Sequence, residues 1–403
     1  MTEGTSRIDA FSDGVFAIAI TLLVLEIRLP HAGVHGSLLA ALLALWPYYF
    51  AFALSFFVIL VSWMTHHDLM RMARATNHPI QLANGCVLIY IAFLPFPTAV
   101  LASHLGGTDV ATAVTFYCGT FVFGNIAFNL LFETMARSQL FRPEVDAEAI
   151  RRIRHAFRLT GLFYLTVALI ALVAPLLALA LNIAVRLYLL RIRYQQASRL
   201  PAQKRPMTEG TSRIEAFSDG VYAIAITLLV LEIGLQHHAA EGGLRAGLLA
   251  LWPNYLAFAL SFFVILVSWI AHHDVMRLVH VTNHPVQLAN GCLLFYVTFI
   301  PFVTTVLAAN LGGSEISTAV TLYCATFVFG SGAFNLLVAT IGRCPGVDME
   351  AVRQIRRGFR ITFTTYVAAT LLALVAPWVA LALSVAVRVN LLRIRYQSAN
   401  HAP

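Results

Sequence analysis

The 403-residue chain is 59% hydrophobic and only 11% charged, where a soluble domain carries roughly 25% charged residues, so an ordinary soluble globular protein is excluded. The formal net charge of +8 does not point to nucleic acid. Its basic residues sit in short clusters between long apolar runs, which is how orientation charge is laid out in a membrane protein.

The first apolar run, residues 8–27, is too long for the core of a signal peptide, has no A-x-A exit and carries acidic residues ahead of it, so a cleavable leader is not expected. Five more stretches follow at 38–64, 80–103, 111–132, 157–174 and 176–190. Each is near the ~20 residues that cross a bilayer. The last two are separated only by Pro175 and read as a tight helical hairpin. Between the spans, His66-His67 precede Asp68. Adjacent histidines do not share a helix face and no HExxH or CxxC accompanies them, so packing near Asp13 is expected rather than metal binding. The run Arg151-Arg152-Ile153-Arg154, continuing to Arg158, is expected in a cytoplasmic loop as an amphipathic segment near anionic headgroups. Arg7, Arg71, Arg74, Arg137, Arg142, that run, and Arg191, Arg193, Arg199, Lys204 and Arg205 all fall on one side of a six-span arrangement, and little beyond Arg28 falls on the other. The positive-inside rule then makes both termini cytoplasmic.

After a polar segment at 197–206, the chain starts again. Residues 1–27 return at 207–233 with only Asp9/Glu215 and Phe16/Tyr222 changed, and matches continue through Trp46/Trp252, Trp63/Trp269, His66/His272, Asn84/Asn290 and Asp146/Asp348. The expected organisation is a six-helix transmembrane repeat at 1–196, a linker at 197–206 and a second six-helix repeat at 207–403. Six spans is an even number, so the copies insert in parallel, related by an axis along the membrane normal. The expected fold is an all-α integral membrane protein of twelve transmembrane helices. Of the five cysteines, Cys86, Cys118, Cys292, Cys324 and Cys344, none shows paired spacing, and they read as small core residues. No P-loop, Rossmann or Ser-His-Asp signature is present, so no enzyme activity is expected.

The first span has two faces. At about 100° per residue, Leu22, Leu25 and Thr21 lie within about 60° of Ile18, and Gly14 falls on the same side. Asp13 and Ser12 lie about 140° and 120° away. The aliphatic stripe suits lipid, another helix or a pore. Asp13, an ionisable residue within a span, suits a helix-locking hydrogen bond or a protonation site.

The pattern Arg7-x-x-x-Phe11-Ser12-Asp13 followed by Thr21, and again Arg213-x-x-x-Phe217-Ser218-Asp219 followed by Thr227, resembles the signature of the transmembrane protein 175 family, potassium channels of animal endosomes and lysosomes with bacterial relatives. The resemblance covers both copies. It implies a potassium-permeable, leak-type channel with K⁺ as the permeating ion, no cofactor, and a pore lined by the first helix of each repeat. By position in the motif, the constriction falls on Ile18, Leu22 and Leu25 and on Ile224, Leu228 and Leu231, and a threonine tied to selectivity on Thr21 and Thr227. No TVGYG filter is present. Animal members carry two units and pair as dimers, so a homodimer with four first helices in a lipid bilayer is expected, in a bacterial plasma membrane and with no nucleic-acid partner. A proton- or cation-coupled secondary transporter is the alternative. Against it, Gly14 and Gly220 lie near one end of the first span, not mid-membrane.

Overall fold

The computed structural model describes residues 4–29, 36–199, 211–233, 243–279 and 283–399. Among these residues the chain is helical, apart from connecting segments and one antiparallel bridge between Ala73 and Phe141. It divides into two compact units: Met1–Ile27 with Trp46–Met207, and Arg28–Leu45 with Thr208–Pro403. The segment expected as a linker at 197–206 lies outside the described residues beyond Arg199, up to which the preceding helix continues.

In the first unit α1 (Ser6–Leu22) ends in a 3₁₀ turn at Leu23–Glu26. The short α2 (Leu38–Ala44) precedes α3 (Trp46–Met72). The sequence reading joined these two as one span at 38–64. They are separate because Pro47, in the first turn of α3, has no N–H and clashes with a helix arriving from before it. By contact, α2 groups with the second unit. Next come α4 (His78–Phe93) and α5 (Pro95–His104). They form one span kinked at Leu94, because Pro95 and Pro97 remove two backbone donors in quick succession. Then α6 (Val110–Arg137), α7 (Ala147–Ala171) and α8 (Pro175–Arg199) complete the unit.

The second unit repeats this order with α9 (Ser212–Leu228), a 3₁₀ turn at Leu229–Glu232, α10 (Gly243–Ala250) and α11 (Trp252–Met276). There α12 (His284–Asn310) runs unbroken through a single Pro301, and α13 (Ile316–Ile341), α14 (Met349–Ala373) and α15 (Pro377–Ala399) follow. Helix starts are chemically marked. Asn77 and Asn283 accept from Ile80 N–H (3.1 Å) and Val286 N–H (2.9 Å), each with proline in the first turn. Asp146 and Asp348 cap α7 and α14 in the same way.

Nine helical stretches among the described residues are long and apolar enough to cross a membrane, and two shorter apolar ones, Pro175–Tyr188 and Pro377–Leu391, follow the hairpin prolines. α14 carries Arg353, Arg356, Arg357 and Arg360 in its first half and is apolar only beyond them. The sequence reading placed its counterpart, Arg151 to Arg158, in a loop. These arginines instead occupy the first turns of α7, because the Asp146 cap starts the helix well before the apolar run begins. Arg154 pairs there with Glu133 on α6, 2.9 Å between Nη2 and Oε2.

In each unit the first helix is packed against the next two spans, α1 against α3 and α4, and α9 against α11 and α12. Aromatic rings fill the space between helices, with Phe16, Phe56, Trp63 and Tyr117 fully buried in the first unit and Tyr222 and Tyr323 in the second.

Candidate functional site

The site is built on the polar face of the first helix. Ser12 and Asp13 are neighbours in sequence, so on a helix they point about 100° apart and reach two different neighbours. Asp13 Oδ1 accepts from Trp63 Nε1 on α3 at 2.8 Å. Ser12 Oγ donates to Ile8 O at 2.7 Å and accepts from Asn84 Nδ2 on α4 at 3.0 Å. Asn84 Oδ1 in turn meets His66 Nε2 at 2.7 Å, which joins α4 to α3. His66 packs on Phe16 and His67 stacks on Trp63, with ring centroids 5.5 and 5.4 Å apart. All of these groups are buried, and Asp13 is 3% exposed. In a water-poor interior such bonds have no competing solvent, so the set fixes the rotation of α1 about its axis.

The second unit repeats the network atom for atom. Trp269 Nε1 donates to Asp219 at 2.7 Å, Asn290 Nδ2 to Ser218 Oγ at 2.9 Å, and His272 Nε2 meets Asn290 Oδ1 at 2.8 Å. One difference is chemical. Tyr222 stands where Phe16 does, and its hydroxyl reaches Ser268 Oγ at 3.2 Å. A second difference is exposure: Asp219 is exposed where Asp13 is buried, and Phe217 is buried where Phe11 is exposed.

The apolar stripe of α1 is offered outward. Ile18 is 48% exposed, Leu22 and Leu25 are half-buried, and Thr21 is buried with its hydroxyl on Ala17 O and Ile18 O. The helix tightens to 3₁₀ at Leu23, where residues three apart eclipse, so Leu25 stays in line with Leu22. On α9 the arrangement is turned: Thr227 and Leu231 are exposed, Ile224 is half-buried and Leu228 is buried. Arg7 is exposed and Arg213 half-buried. The structure therefore brings Ser12, Asp13, Trp63, His66 and Asn84 together, and keeps Ile18, Leu22 and Leu25 apart from them on another face.

Two elements escaped the sequence reading. A hydroxyl triad sits deeper in each unit: Thr98 donates to Ser55 (2.6 Å), which meets Tyr117 OH (2.8 Å), repeated by Thr304, Ser261 and Tyr323. The second is an arginine inside the sixth span. Arg186 stands 4.5 Å over the Phe121 ring, and Arg388 4.4 Å over Phe327. The signal was a lone arginine 11 residues into α8 and again into α15, about 16 Å along each helix.

The profile of the family described as "Endosomal/lysosomal potassium channel TMEM175" matches residues 7–95 and again 213–301, once in each copy. A protein named a potassium channel from Chamaesiphon minutus is 43% identical over 180 residues, which is 43% of this chain and 89% of that protein. The chain belongs to the TMEM175 family. One 180-residue stretch of this chain thus spans nearly the whole of that protein. A Streptomyces collinus protein, also named a potassium channel, is 43% identical over 177 residues, 43% of this chain and 85% of its own. The human member, named an endosomal/lysosomal proton channel, is 24% identical over 335 residues, 74% of this chain and 64% of the human one. The crystal structure of a TMEM175 homolog from Chamaesiphon minutus, titled a lysosomal potassium-selective channel, is similar at 39% identity, covering 45% of this chain and 95% of that one, with a TM-score of 0.42.

Proposed function

We propose that this chain is a potassium-permeable channel whose pore is lined by the first helix of each repeat and narrowed by Ile18 and Ile224, with Leu22, Leu25, Leu228 and Leu231 beyond them. The observation that carries this is the division of labour on α1. One face is locked into its own unit through Ser12 and Asp13, while the other presents Ile18 to the outside of the chain. The names of the bacterial relatives support K⁺ as the permeating ion, without a cofactor. The reading as a coupled transporter finds no support in α1, which runs without a break from Ser6 to Leu22.

One chain supplies two first helices, so two chains are needed for a closed ring of four. The proposed assembly is a homodimer about a two-fold axis along the membrane normal, with both termini cytoplasmic. Four branched side chains meeting on that axis leave little room for a hydrated ion, and apolar walls favour dewetting. Selectivity then follows dehydration cost, which penalises Na⁺ more than K⁺; the exposed Thr227 hydroxyl can offer its oxygen to a partly dehydrated ion, and Thr21 would do so only on turning out of the buried position it holds on α1. The test is the double substitution Ile18→Asn with Ile224→Asn, recorded in planar bilayers and normalised to folded protein. A wetted constriction gives a larger current and a weaker K⁺ preference. Unchanged conductance in surviving channels refutes the pore assignment. Native mass spectrometry tests the assembly, and a conducting monomer overturns it.

A further inference from the structure

Arg388 lies within the apolar stretch Pro377–Leu391 that opens α15, 11 residues beyond Pro377. It is 5% exposed. Its Nη1 donates to Val264 O at 3.3 Å and its Nη2 to Tyr296 OH at 3.1 Å. The guanidinium is held between the Phe327 ring (4.4 Å) and the Tyr366 ring (5.5 Å). Among the described residues no carboxylate pairs with it. A cation–π contact with two rings offsets only part of the cost of burying a charge.

Two donors are left over. Arg388 Nε and the Tyr366 hydroxyl, itself on a side chain 2% exposed, have no hydrogen-bond partner among the described residues. Both groups line one cavity of about 20 Å³, together with Tyr296, Ser268, Ser331 and Thr362. Tyr296 accepts from Arg388 on its oxygen, so its own proton is available as a third donor. Ser331 and Thr362 donate their protons to Phe359 O (3.1 Å) and Gly358 O (2.9 Å). The unsatisfied capacity of the cavity is therefore positive and proton-donating. The space holds a single small species.

We propose that this cavity is a binding site for one monovalent inorganic anion of the halide class, held by Arg388 Nε–H and the Tyr366 and Tyr296 hydroxyls. The anion neutralises a buried charge that has no carboxylate partner among the described residues. The first unit repeats the main elements: Arg186 lies 4.5 Å over Phe121 and 5.6 Å over Tyr164, and its Nε is likewise buried without a partner among the described residues. The cavity adjoins α9 through Ser268, whose Oγ lies 3.2 Å from the Tyr222 hydroxyl, but its test reads stability and anion binding and does not depend on conduction.

The test uses the full chain in nanodiscs and bromide as the probe. Thermal unfolding is followed while potassium bromide replaces potassium gluconate at constant K⁺, gluconate being too bulky for the cavity. A saturable rise in Tm with bromide is expected. Y366F keeps the ring over the guanidinium and removes one donor, so its half-saturating bromide concentration should rise about tenfold, while Tm in gluconate does not fall because the hydroxyl has no partner there. R388M should lose the bromide response of this site; Y366F carries the test if R388M does not fold. Anomalous scattering from bromide-soaked crystals should place a peak within hydrogen-bond distance of Arg388 Nε. A cavity holding only water at saturating bromide, or a bromide response identical in wild type and Y366F, overturns the proposal.

Discussion

The same hydrogen bond occurs twice in this chain in different surroundings, which makes it a controlled experiment. Trp63 Nε1 donates to Asp13 at 2.8 Å, and Trp269 Nε1 to Asp219 at 2.7 Å. Asp13 is 3% exposed and Trp63 1%, whereas Asp219 is exposed. W63F leaves a buried carboxylate short of one donor, and a hydrogen bond to a charged group contributes about 1.5–3 kcal/mol. W269F lets water take the place of the lost donor, so only about 0.5–1 kcal/mol disappears. The smaller ring leaves a void in both cases, larger in effect at the more buried Trp63. W63F should therefore destabilise by about 2 kcal/mol more than W269F. For a unit of this size that is a Tm difference of about 4–8 °C. The assay is thermal unfolding of the purified single variants, with K⁺ over Na⁺ selectivity recorded in parallel. Selectivity should not move, since both indoles face away from the Ile18 stripe. Equal Tm losses in the two variants would show that Asp219 is as dehydrated as Asp13 in the working protein and would sink this reasoning.

Asn84→Ala removes the link between His66 and Ser12 in a buried setting, and should lower stability by about 2–4 kcal/mol in a chemical or thermal melt, with Asn290→Ala matching it because its two bonds are the same. Gly330→Ala should destabilise by about 1–3 kcal/mol, because a Cβ there would lie 2.6 Å from Tyr296 Cε2 and drive the ring off Arg388. Gly119→Ala is its control: nothing stands within 4 Å of the added carbon, so a neutral change or a gain of up to about 1 kcal/mol is expected from helix propensity. Asp348→Ala should lower stability by about 1 kcal/mol and speed amide exchange in the first turn of α14, since the carboxylate accepts from Glu350 N–H (2.8 Å) and Ala351 N–H (3.3 Å). Unchanged exchange at Ala351 would show that the cap contributes nothing.

The sequence by itself determined the membrane class, the duplication and the all-helical fold. These rest on composition and spacing, which lipid enforces directly: a chain in hydrocarbon must satisfy every backbone group within its own helix. The helix starts at Asn77, Asn283, Asp146 and Asp348 were not read from the sequence, although each cap is local and bonds a donor two or three residues away: hydropathy marks where an apolar run begins, and α7 begins well before its apolar run. The separation of Ser12 and Asp13 from the Ile18 stripe followed from helical angle alone. Only the tertiary structure decided what those polar groups meet. Trp63 lies 50 residues from Asp13 and Asn84 lies 72 from Ser12, and no periodicity reports a contact at that range. It also decided that Arg186 and Arg388 lie among aromatic rings. In sequence each is one charge in an apolar run, and its rings come from α6 with α7 and from α13 with α14. Finally, nearly identical first helices expose different faces, Ile18 on α1 but Thr227 on α9 and Leu231 in the turn after it. Exposure depends on what packs alongside a helix, and that is a property of the whole fold, not of a 27-residue segment in which the copies differ at two positions.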